Sequence, residues 1–120
     1  MNMNTHNFLE LKIWQKSMKL SKALFIMTKS FSNDEKFGLT SQINRAGVSI
    51  PSNIAEGTSR SSNKDFTRFL QFSLGSCFEI ETQLMLALDF EYIEKDSSEE
   101  LIKSVKEIQK MIKGFMKNLN

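Results

Sequence analysis

The chain carries one cysteine, one histidine, one proline and five glycines among 120 residues, and each scarcity excludes something. A lone cysteine, Cys77, rules out an internal disulfide and suits a reducing compartment. His6, the single histidine, sits in an N-terminal segment expected to fray. No His/Cys pair, metal-ligand cluster or glycine-rich phosphate loop is visible, so the chain reads as non-enzymatic and needs no cofactor. No run of about 18 apolar residues occurs, and no membrane span is expected. The N-terminus lacks a basic segment followed by an apolar run, which argues against a signal peptide and leaves the cytoplasm as the expected location. Charge of one sign is also scarce: a net +2 is too small to argue for nucleic acid by itself.

What is present points to helices with bulky filling. Ten phenylalanines and seven methionines accompany 40% hydrophobic and 25% charged residues. That is the composition of an ordinary globular protein, and the length fits one domain, residues 1–120. Four helices are expected, over about 8–31, 34–57, 63–88 and 97–119. Each has a start signal of the capping-box kind: Asn7 with Glu10, Ser32 with Glu35, Ser62 with Asp65, Ser97 with Glu100. Leu39, Ile43, Ala46, Ile50 and Ile54 keep a helical period through Pro51, which predicts one kinked helix, with Gly47 leaving room for the kink. Gly57 reads as its left-handed terminator. The third stripe runs Phe66, Phe69 or Leu70, Ser73, Cys77, Ile80, Leu84 and Leu88. The fourth alternates four and three: Leu101, Val105, Ile108, Ile112, Phe115, Leu119. The expected fold is all-α, an up-down-up-down four-helix bundle.

Apolar surface exceeds what one bundle needs. Phe72 and Leu86 fall on the far side of the third helix, Leu74, Phe78 and Met85 on its flank. The first helix is similarly broad, with Leu11, Trp14, Met18 and Phe25 on one edge and Ile13, Leu20, Leu24 and Met27 on the other. Self-association is the expectation. Beside the stripe of helix two lies a polar edge of Gln42, Ser49 and Asn53, with Arg45 and Glu56 further round. It fits hydrogen bonds to a neighbouring helix or subunit better than a ligand groove.

Alternating helices sort the charge. One end would collect Lys12, Lys16, Arg60, Lys64, Arg68, Lys110, Lys113 and Lys117, opposed only by Glu10, Glu56 and Asp65. The other would collect Asp34, Glu35, Asp89, Glu91, Glu94, Asp96, Glu99 and Glu100. Lys103, Lys106, Lys110, Lys113 and Lys117 form one stripe opposite the apolar seam of helix four. Macrodipole complementation explains much of this, but not Lys64 in the first turn of helix three. Arg60, Lys64 and Arg68 there cluster beside helix-start amides suited to phosphate. No base-stacking aromatic is evident near them, so binding would follow backbone charge and shape.

Phe8-Leu9-Glu10-Leu11 with Trp14, Phe37-Gly38-Leu39 with Gln42, Arg45-Ala46, Ser49-Ile50-Pro51-Ser52-Asn53-Ile54-Ala55-Glu56-Gly57, Arg60, Phe69-Leu70, Gly75-Ser76 and Glu79 carry a resemblance. Together they resemble the bacterial four-helix-bundle proteins encoded by intervening sequences within large-subunit ribosomal RNA genes. The resemblance covers nearly the whole chain, and the Ser49 to Gly57 core and Gly-Ser-x-x-Glu element are specific to that family. It implies a homopentameric barrel without established enzymatic activity, named for gene location more than for membership of the ribosome. The similar accessory variability protein of diversity-generating retroelements implies association with nucleic acid and a reverse transcriptase. Asn53, Glu56, Gly57, Arg60, Gly75, Ser76 and Glu79 are the matching motif positions, read as assembly residues except Arg60. Asn44 and Gly47 stand where relatives often carry a second basic residue and a bulkier one, which implies weaker nucleic-acid affinity through helix two. The functional expectation is a homo-oligomer that binds RNA or DNA backbone at its basic end. The alternative is a protein-interaction scaffold with an acidic partner there.

Overall fold

The computed structural model describes residues 6–35 and 38–119. Phe37 of the resemblance motif and Lys36 lie outside the described residues, as does the side chain of Glu35, so its reciprocal capping role does too. Four α-helices follow in order: α1 Lys12–Thr28, α2 Leu39–Thr58, α3 Asn63–Asp89 and α4 Lys95–Leu119. Each packs on its neighbours in the chain and α1 closes on α4, while the backbones of the diagonal pairs stay further apart. This is the up-down-up-down bundle that the periodicity predicts, 52 Å long and about 20 Å across.

The helix starts need correction. Asn7 does cap, its side chain accepting from the Leu9 amide, but it caps a 3-10 turn, Phe8–Glu10. Leu11 then takes an extended conformation (φ −79°, ψ 126°), and α1 begins only at Lys12 and ends at Thr28. The break lets Leu11 and Phe8 fold back, the Phe8 ring meeting Trp14 edge-on at 5.2 Å. Residues 33–35 form a separate 3-10 turn, and α2 starts at Leu39, not at residue 34. Ser62 caps α3 as expected, accepting from the Asp65 amide. Ser97 caps nothing: α4 starts earlier, at Lys95, and Ser97 lies within it. A non-glycine residue, Glu91 (φ 63°), turns the chain between α3 and α4.

Gly57 is not left-handed; no described glycine has positive φ. It lies inside α2, buried against Phe66 and Phe69. The glycine is needed because α3 passes too close for a side chain, not for a turn. Gly47 likewise packs on Leu24 and Ser21 of α1. α2 runs through buried Pro51 without ending. The core repeats the predicted stripes: Leu20 and Leu24 of α1, Ile43, Ile50 and Ile54 of α2, Leu70, Cys77, Ile80 and Leu84 of α3, Val105, Ile108 and Ile112 of α4. Each fully buried Leu or Ile contributes about 1.5–3 kcal/mol relative to exposure.

Candidate nucleic-acid interface

The two chain segments that matter meet at one end of the bundle. Asn63 Nδ2 at the start of α3 donates to the carbonyl of Leu119 at the finish of α4, at 2.9 Å. His6, expected to fray, is instead clamped there, its ring 5.3 Å from Phe66 and 5.6 Å from Phe115. Arg60 and Lys117 therefore belong to the same pole, as the alternating topology requires. At the opposite pole, Phe31 packs on Tyr92 at 5.4 Å. Exposed Asp34, Asp89, Glu91, Glu94, Asp96, Glu99 and Glu100 surround that pole.

The eight predicted cationic residues fall on three faces. Arg60, Lys64 and Arg68 are brought together at the α2–α3 junction. Arg60 spans from the end of α2 to lie 4.3 Å from the ring centroid of Phe69, and Arg68 sits 5.9 Å from the same ring. Lys64 and Arg68 line a shallow depression with Asp65, Thr67 and Gln71. Lys110, Lys113 and Lys117 stay exposed with Lys103 and Lys106 along the outside of α4, Lys113 standing 5.5 Å over the Phe78 ring. Lys12 borders Met111, Phe115 and Asn118 in the α1–α4 seam. Lys16 lies lower in that seam and is paired with Glu107 at 3.1 Å.

Two partners temper the cluster. Arg60 shares its charge with Glu56 at 2.8 Å. The Asp65 amide at the start of α3 is already taken by Ser62. Fewer backbone donors are therefore left for a phosphate than the bare helix start suggests.

The expectation that aromatic side chains are missing near the basic end is wrong. Phe69 and Phe72 meet edge-on at 5.5 Å, and Arg68 stands over both. Phe72 is 46% exposed. The Arg68–Phe72 spacing of four was readable as one helix face. The Arg60–Phe69 contact was not, because it joins the loop after α2 to α3.

Of the motif positions, Gly57 and Ser76 lie in the α2–α3 seam. Ser49 Oγ donates to the Ala46 carbonyl and shares a second hydrogen bond with Ser76 Oγ, whose hydroxyl can supply the proton, so the polar edge of α2 does bond to its neighbouring helix. Asn53 donates to the Ser49 carbonyl at 2.9 Å, and Glu79 accepts from Gln83 at 3.1 Å. Gly75 is exposed, with open space where a Cβ would stand. Glu81, two residues after Glu79, faces α4 instead, meeting Gln109 at 2.8 Å and Lys106 at 3.9 Å.

Cys77 is fully buried, and burial pushes its thiol up to about 12. Among the described residues, no group of three or more His, Cys, Asp or Glu side chains is placed to hold a metal ion, and no helix is long and apolar enough to cross a membrane.

Comparison with known proteins identifies the family. Residues 9–114 match the family described as 23S rRNA-intervening sequence protein, and the chain belongs to it. A crystal structure of a protein of unknown function, from the S23 ribosomal protein family in Bacteroides thetaiotaomicron, has the same architecture. It is 30% identical, with a TM-score of 0.82 over 88% of this chain and 98% of that one. Among curated proteins no relative matches.

Proposed function

We propose that this member of the rRNA-intervening-sequence family is a non-enzymatic, self-associating helical bundle that binds the backbone of RNA or DNA at its basic pole. The supporting observation is the meeting of Arg60, Lys64 and Arg68 where α2 hands over to α3, at the same end as the finish of the lysine-lined α4. Cations on a nearly neutral chain are most useful to a polyanion when gathered this way, since each neutralised phosphate releases counterions. Self-association would multiply the patch, and the resemblance to intervening-sequence proteins implies five copies. A groove between α1 and α2 supports that assembly: Met18, Phe25 and Val48 are 46%, 53% and 55% exposed beside Trp14, Pro51 and Ala55. A cytoplasmic setting, where nucleic acid and a partner such as a reverse transcriptase are both present, is part of the proposal.

The test is titration of a mixed RNA and DNA pool at several salt concentrations. Affinity is expected to fall steeply with salt, and Lys64→Glu combined with Arg68→Glu is expected to abolish it. Absence of binding at low salt, or indifference to the double reversal, refutes the reading. Salt-sensitive capture of an acidic protein in place of nucleic acid would favour a protein-interaction scaffold at the same pole.

A further inference from the structure

The outward edge of α3 carries an exposed aromatic ring where backbone-binding cations converge. Phe72 has nearly half its surface in water, and its edge contact with Phe69 leaves much of the ring uncovered. Two guanidinium groups border the pair: Arg60 at 4.3 Å from the Phe69 ring, Arg68 at 5.9 Å from Phe69 and 5.6 Å from Phe72. Lys64 precedes Arg68 by one helical turn on the same face, with Gln71 beside them, and Asp65 is the one acid in the depression. A purely apolar contact between two proteins is poorly served here, because closing it would strip water from two arginines. A duplex does not need the ring, since its bases are stacked on one another. An unpaired nucleotide needs both parts, a ring under the base and cations at the adjoining phosphates.

We propose that the Arg60–Phe69–Phe72–Arg68 cluster stacks an unpaired base on Phe72, making this pole a reader of single-stranded nucleic acid. The proposal rests on the backbone-binding reading above and narrows its substrate to unpaired strands.

The full-length chain is titrated with a labelled oligothymidylate of about 15 nucleotides and with the matching duplex, following anisotropy. Phe72→Ala, at an exposed position, is expected to weaken the single strand at least about tenfold and the duplex less than about twofold. In a Phe72→Trp variant, indole fluorescence is expected to be quenched by the single strand and not by the duplex, above the Trp14 background. Arg68→Lys, which keeps the charge and removes the planar group, should weaken the single strand selectively too. Equal losses for both ligands in Phe72→Ala, or an unaltered single-strand affinity, overturn the stacking proposal while salt-dependent binding keeps the backbone reading alive. A wild-type chain that binds neither ligand at low salt overturns both.

Discussion

At Gly57 an added methyl would stand 2.8 Å from Cδ1 of Phe66 and 3.1 Å from Cβ of Phe69. Neither neighbour is a flexible chain end, so α2 and α3 would have to part. Gly57→Ala is expected to lower stability by about 1–3 kcal/mol in urea unfolding, despite the better helix propensity of alanine. Gly114 in α4 has open space at the same position, and Gly114→Ala is expected to raise stability by about 0.5–1 kcal/mol. Cys77 offers a second check at this scale. Its thiol pKa is raised by burial from 9.0 to about 12, so the folded chain keeps the proton after the unfolded chain has lost it. Stability is therefore unaffected by this group below pH 9 and declines as pH rises from there toward 12. Cys77→Ala should show a shallower alkaline decline, and native Cys77 should resist iodoacetamide at neutral pH until guanidinium unfolds the chain.

Among the helices, α2 and α3 make the most extensive contact, and the chemistry of that seam is small and polar. Ser73 Oγ donates to the Ile50 carbonyl at 2.8 Å, next to buried Pro51, which itself donates nothing to its helix. Ser73→Ala is expected to cost about 1 kcal/mol in thermal or urea unfolding, since the bond is buried. Lys16→Ala removes an ion pair whose members are 43% and 56% exposed, and should change stability by less than about 0.5 kcal/mol. The contrast tests whether inter-helix register comes from the buried serines or from surface charge. The helix starts teach a related lesson. Ser62 caps because α3 begins with its amides at a loop, whereas Ser97 has the same spacing and already lies within the first turn of α4. Ser-x-x-Glu spacing is common on helix surfaces, and only where the chain turns does it become a cap.

Over the whole molecule, most of the exposed large apolar residues within the helices fall into two groups. Met18, Phe25 and Val48 border the α1–α2 groove, while Phe72, Phe78, Met85 and Leu86 lie along α3. Because the α3 side is interspersed with arginine and lysine and the α1–α2 groove is richer in apolar surface, assembly is expected to use the groove. Phe25→Asp combined with Val48→Asp should convert the assembly to a 13.8 kDa species in sedimentation equilibrium without loss of helical circular dichroism. A wild-type chain already sedimenting at that mass would refute self-association.

The periodicity of apolar residues determined four helices, their order and nearly all of the core, because burial of a stripe leaves a repeat that any reader can count. Ile50, Ile54, Ile80, Leu84 and Ile108 were legible for that reason. Short loops then determined alternation, and alternation determined the charged poles. What only the tertiary structure decided concerns pairs of residues in different segments of the chain. The close passage of Phe66 past Gly57, the clamp on His6, and the reach of Arg60 from the loop after α2 to Phe69 on α3 leave no trace in spacing. Periodicity reports which side of a helix faces inward, but not how far it slides or rotates against its neighbour. A guanidinium and a ring meet only when that slide is set.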